Sequence, residues 1–143
     1  MLALIPKPTK IVNIGTSANV DLSSSAGSPY YPVSLICFVS GNITSSNTSP
    51  AFTTGSYAPG SYIFVRNSGT ITGYAGTDGT MGAGGKGGDG TTGPGTIGSS
   101  GGPGGAGTDG KSAFKADFNI VIDNIGSLVG GPGGTGGATF ALR

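Results

Sequence analysis

The sequence predicts an all-β chain interrupted by a glycine-rich part, with no α-helix. Three observations carry that expectation. Glu and Gln are absent and Lys and Arg are few, so the usual residues of surface helices are missing. Val, Ile, Phe and Tyr fall in short runs bounded by Ser, Asn, Pro and Gly, as strands and turns require. Through the middle of the chain, Gly recurs at every third position. The expected architecture is a small β-sandwich or β-roll formed by the flanks, plus packed polyglycine II helices.

The elements follow in order. Residues 1–10 read as an N-terminal docking arm, with Leu4, Ile5, Pro6, Lys7 and Pro8 as its candidate contacts. The arm has no basic n-region and too short an apolar stretch for a signal peptide, so a cytoplasmically made chain is expected. Residues 11–72 form a β-rich part, with strands expected at 10–14, 33–39, 62–66 and 69–72 and Ser-rich links at 23–29 and 45–50. Residues 73–112 form the polyglycine II region. Residues 113–143 return to β-type sequence, with strands expected at 118–122 and 138–142 and a short glycine repeat between them. They are expected to join the β-rich part in one compact domain.

The flanks echo one another. Ile63–Gly73 aligns with Ile120–Gly130: a strand, Asn-x-Gly, a small residue, an aliphatic residue, any residue, then Gly. Residues 38–44 repeat part of this pattern. A strand, a tight Asn/Gly corner and a second short strand suggest stacked β-layers.

The glycine register is specific. Gly73, Gly76, Gly79, Gly82, Gly85 and Gly88 share one phase; Gly95, Gly98, Gly101, Gly104, Gly107 and Gly110 share another. Between residues 73 and 110, 18 of 38 residues are Gly, and Ile97 is the only Leu, Ile, Val or Phe. Collagen needs an unbroken phase and abundant Pro, and neither is present. Threefold helices have no internal hydrogen bonds, so their backbones need neighbours, and a missing Cβ permits close approach. Single in-phase glycines such as Gly76, Gly79 and Gly98 are expected to face a neighbour. In each Gly-Gly pair one member should be more tolerant of a Cβ.

Composition excludes several functions. There is no His, so there is no Ser-His-Asp or Cys-His system and no His-ligated zinc. A formal charge of +1 with no basic cluster argues against a nucleic-acid partner, and no run is long enough to insert into a membrane. Cys37 lies in an apolar run and is expected to be a buried small hydrophobe. Asp78, Asp89 and Asp109 each precede a Gly, and Gly84–Asp89 resembles the start of a calcium-binding nonapeptide. Thr91 stands where that motif needs a large apolar residue, so turn chemistry is the expected role. No enzyme activity, cofactor or metal is expected. Tyr30-Tyr31 between two prolines is expected to pack a tight turn. Tyr74, Met81, Lys86, Asp89, Ile97, Asp109 and Lys111 are the candidate contact residues for a receptor or partner.

The stretch from Val33 to Gly90 resembles bacteriophage virion proteins with a glycine-rich region. The resemblance rests on Pro50-Ala51-Phe52-Thr53-Thr54-Gly55, on Pro59-Gly60-Ser61-Tyr62-Ile63, and on Asn67–Gly73 running into glycine triplets. It is similar in this respect to tail-fibre tips and adhesins, where polyglycine helices stack and their loops contact the host. The resemblance implies a non-enzymatic virion protein made in the host cytoplasm, most directly a fibre tip or receptor-binding component. It implies a homo-oligomer, a trimer by analogy, that contacts other virion proteins and an outer-membrane protein or polysaccharide. A capsid decoration or head-fibre protein is the alternative. An ice-binding protein fits less well, because Thr77, Thr80, Thr91 and Thr92 keep no common register.

Overall fold

The structure, a computed structural model, describes residues 6–46, 49–84 and 99–137. The chain divides into two compact units: Met1–Tyr74 with Lys111–Gly131, and Ala75–Gly110 with Pro132–Arg143. The C-terminal glycine repeat from Pro132 thus groups with the central glycine region.

The first unit is built from short strands: β1 (Thr9–Ile14), β2 (Ser17–Ala18), β3 (Val20–Asp21), β4 (Ser34–Val39), β5 (Asn42–Thr44), β6 (Phe52–Thr53), β7 (Tyr62–Asn67), β8 (Thr70–Thr72), β9 (Phe114–Lys115), β10 (Ile120–Asn124) and β11 (Ser127–Val129). Every pairing among the described residues is parallel. The sheets run β1-β4-β7-β10, β11-β8-β5-β2 and β3-β6-β9. The chain therefore winds in coils that visit the three sheets in turn. β1-β2-β3 is the first coil, β4-β5-β6 the second and β7-β8-β9 the third, and β10-β11 begins a fourth. Sandwiches are built mainly from antiparallel neighbours; here every described pairing is parallel and the coils visit three sheets. The glycine-rich excursion leaves the third coil between β8 and β9.

Strand alternation builds the core. In β4 and β7, Leu35, Cys37 and Val39 and Ile63, Val65 and Asn67 point inward and are buried. Register stacks like on like: Leu35 beside Ile63, Cys37 beside Val65, Ile43 beside Ile71. Phe52 stacks on Phe114 with ring centroids 4.9 Å apart. Each fully buried aliphatic side chain contributes about 1.5–3 kcal/mol. The sequence echo coincides with this register, since Ile63 pairs with Ile120 and Thr70 with Ser127.

The repeated Asn/Gly corner carries the chain from one sheet to the next. Asn67 is 1% exposed. Its Oδ1 accepts from Gly69 N at 3.1 Å, and its Nδ2 donates to Asn124 Oδ1 at 2.8 Å and to Ser127 O at 3.3 Å. A Cβ on Gly69 would lie 2.0 Å from Gly41 O, and one on Gly126 would lie 2.1 Å from Gly69 O. The corners stack so closely that only glycine fits.

One feature departs from an entirely helix-free chain. α1 (Leu22–Ser25) is a single helical turn in a stretch that reads as loop. Asp21 caps it: Oδ1 accepts from Ser24 N at 3.0 Å and from Ser23 Oγ at 2.6 Å. An N-cap of this kind contributes about 1 kcal/mol. Leu22 is fully buried and anchors the turn to the core. The expected strand at 118–122 begins later, at Ile120, and the one at 138–142 lies outside the described residues.

The second unit consists of three extended segments, 75–84, 99–110 and 132–137, held by backbone hydrogen bonds at every third residue. Gly76 and Gly79 donate to Pro132 O and Thr135 O, both at 2.7 Å. Gly134 and Gly137 donate to Thr108 O and Gly105 O, both at 2.8 Å. Gly102, Gly105 and Thr108 donate to Ala83 O, Thr80 O and Thr77 O at 2.8–2.9 Å. Each segment thus donates to one neighbour and accepts from the other, in a closed ring of three. The first and third segments run parallel, and the second runs against both.

Candidate functional site

The second unit sorts its residues by position. Within each triplet the donor or contact position faces a neighbouring backbone, and the others face solvent. A Cβ on Gly76 would lie 1.9 Å from Thr108 O, on Gly79 2.0 Å from Gly105 O, and on Gly82 2.0 Å from Gly102 O. On Gly104 and Gly107 it would meet backbone at 2.3 and 2.5 Å. Gly84, Gly133 and Gly136 have nothing within 4 Å, whereas Gly134 and Gly137 would meet Thr77 O and Thr80 O below 2 Å. In the pairs Gly133-Gly134 and Gly136-Gly137 one member is therefore closed and the other open. In the first unit, Gly73 would meet Lys111 O at 2.0 Å. Gly85, Gly88, Gly95 and Gly98 lie outside the described residues.

What remains for side chains is the outside. Thr77, Asp78, Thr80, Met81, Thr108, Asp109 and Thr135 are all exposed. Several tie the segments together. Asp78 Oδ1 accepts from Thr135 N at 2.8 Å and from Thr135 Oγ1 at 2.9 Å. Those two bonds hold the Asp78 carboxyl below its usual range. Thr77 N donates to Thr108 Oγ1 at 2.8 Å, and the two hydroxyls are 3.0 Å apart. The Asp78 tie spans 57 residues, and a local reading of Asp-Gly as turn chemistry does not find it.

The candidate contact residues fall unevenly. Met81 is 67% exposed. Asp109 is also exposed. In the first unit, Tyr74 and Lys111 are half-buried and joined through their backbones, Lys111 N donating to Tyr74 O at 2.8 Å. Lys86, Asp89 and Ile97 lie outside the described residues, as do Leu4 and Ile5 of the arm. Pro6, Lys7 and Pro8 are exposed, and Pro8 O accepts from Ser34 N at 3.0 Å.

One expectation is corrected. Tyr30 does not pack a turn: it is 91% exposed, with Tyr31 edge-on at 5.1 Å. Tyr30 and Tyr31 lie in a bend that leaves the Tyr30 ring outside. The apolar residues of the last coil are not fully buried either, with Ile122 and Leu128 each 39% exposed.

Asp117 and Cys37 are engaged in structure. A shallow depression is lined by Ala116, Asp117, Phe118 and Asn119. Asp117 within it is paired with Lys115 at 2.7 Å and accepts from Thr53 Oγ1, and these partners lower its pKa. Burial pushes the Cys37 thiol up to about 12. Among the described residues, no three metal-ligating side chains cluster and no helix is long and apolar enough to cross a membrane. No protein-family model, curated protein or solved structure matches the chain.

Proposed function

We propose that this chain is a non-enzymatic structural protein of a bacteriophage particle, a fibre-tip component that contacts the host surface. In this reading the second unit is a bundle of polyglycine II helices used as a rigid display scaffold. One observation carries it: a three-residue hydrogen-bond period puts backbone against backbone inside and leaves side chains only on the outside. Among its described residues such a unit has no apolar interior to bind a small substrate. It holds short polar and apolar side chains, Met81 and Asp109 among them, at fixed spacing on a scaffold with little freedom. That suits recognition of a repeating or flat surface, such as an outer-membrane protein or polysaccharide.

The test is retention of the purified chain on intact bacterial cells and on isolated lipopolysaccharide. Saturable retention, weakened by Met81→Ala or Asp109→Ala, is expected. The exposed arm at Pro6, Lys7 and Pro8 favours a second reading, a capsid decoration protein docked through that arm. Antibody labelling of particles separates the two: label at the tail tip supports attachment, and label over the capsid replaces it with decoration.

A further inference from the structure

The two ends of the first unit are finished differently. At the first coil, α1 and its neighbours close the core. Leu22 is fully buried, Ile14 is 8% exposed and Val20 is 6% exposed. Lys10, at an inward register position beside Leu35, donates its Nζ to Ala26 O at 2.7 Å. At the fourth coil nothing comparable is present among the described residues. Ile122 continues the column of Cys37 and Val65, and Leu128 continues that of Ile43 and Ile71. Those inner neighbours are 0% exposed, whereas Ile122 and Leu128 are each 39% exposed. Ile125 is 61% exposed and Val129 45%. β10 and β11 are outermost in their sheets, as β1 and β2 are at the first coil, and among the described residues their far sides carry unpaired backbone donors and acceptors. The five residues of β10 and the three of β11 offer roughly 26 Å of such edge, at about 3.3 Å per residue.

The geometry points to a second copy of this chain as the occupant of that end. A row of strand edges is matched by another row of strand edges, and an identical end matches this one across a two-fold axis. β10 would then pair antiparallel with β10 of the other copy. Charge permits it: Asp123 is the only charged residue between Ile120 and Gly131, and Arg66 neutralises it at 3.4 Å. A strongly charged partner finds no counter-charge there. A two-fold contact uses the same end of both copies, so association through it closes at two. This inference is independent of the attachment role and replaces the trimer expected by analogy.

Sedimentation velocity on the full chain across micromolar concentrations is the test. The expected species is twice the 13.7 kDa chain mass. Ile122→Lys and Leu128→Lys should each weaken association at least tenfold, while Ile11→Lys on β1 should leave it unchanged. Protection of Cys37 from a thiol reagent reports that the variants are folded. If they are not, amide exchange of residues 120–129 in the unaltered chain decides, slowing as concentration rises. A monomer at all concentrations, a trimer, a dimer indifferent to both folded variants, or exchange that ignores concentration would each overturn the inference.

Discussion

Gly76→Ala isolates what the glycine period does. Its backbone is in an ordinary conformation, so an added Cβ acts by contact alone. That atom would lie 1.9 Å from Thr108 O and 2.7 Å from Gly134 N, where ordinary contact begins at 3.4 Å. The neighbouring segments must part by about 1.5 Å. Hydrogen bonds of 2.7 and 2.8 Å run from Gly76 N to Pro132 O and from Gly134 N to Thr108 O. Stretched past about 3.5 Å, both are lost. Each is worth about 0.5–1.5 kcal/mol net, so the loss is about 1–3 kcal/mol. The stiffer unfolded chain returns about 0.4–1 kcal/mol. The net destabilisation is about 1–2 kcal/mol, a factor of roughly 5–30 in the opening equilibrium. Amide exchange at position 76 and at Gly134, the donors of those two bonds, should accelerate by that factor. Gly79→Ala should behave alike. Gly133→Ala and Gly84→Ala, which meet nothing within 4 Å, should be neutral or stabilising by up to about 1 kcal/mol. Equal effects at Gly76 and Gly133 would refute the reasoning, because a flexible linker makes no distinction between them.

Other outcomes follow from the first unit and from its carboxylates. Asn67→Ala removes a buried amide that satisfies Gly69 N, Asn124 and Ser127 O, and should cost about 2–3 kcal/mol in denaturant unfolding. Cys37, fully buried with its pKa raised to about 12, should resist thiol reagents at pH 8 and react at once in denaturant. Asp78 and Asp117 have lowered pKa values, so their stabilisation is present above the usual carboxylate value of 3.8 and is lost as pH falls through the folded values. Melting temperature should therefore drop on acidification below about pH 4, and Asp78→Asn should flatten part of that slope.

Much of this fold was legible in the sequence because its rules are local. The apolar runs at 33–39 and 62–66 marked two of the strands, and the Asn-x-Gly echo aligned residues that pair between β7 and β10. The glycine triplets encoded their own hydrogen-bond spacing, so Gly76 and Gly79 could be assigned inward positions in advance. What stayed hidden depends on contacts distant in sequence. The Asp78–Thr135 tie has no local signature. Nothing in Ile120–Val129 distinguishes a covered coil from a terminal one, because Ile120, Ile122 and Leu128 are apolar in either case. The turn at Leu22–Ser25 reads as loop because Ser is a weak helix former; only the Asp21 cap and the burial of Leu22 make it helical. The parallel winding was also missed, since an Asn/Gly corner serves a hairpin as well as a change of sheet.

The three-residue bonding period constrains how this molecule can change length. A segment lengthened by one or two residues would rotate every later donor away from its acceptor. Growth that preserves the pattern must come in whole triplets, added together to the outgoing, returning and C-terminal segments. In the polyglycine II reading proposed above, with a rise of about 3.1 Å per residue, each step extends the bundle by roughly 9 Å. Insertions in an ordinary surface loop are graded and cheap. Here the permitted lengths form a ladder, and natural variants of this chain should differ in that region by multiples of three.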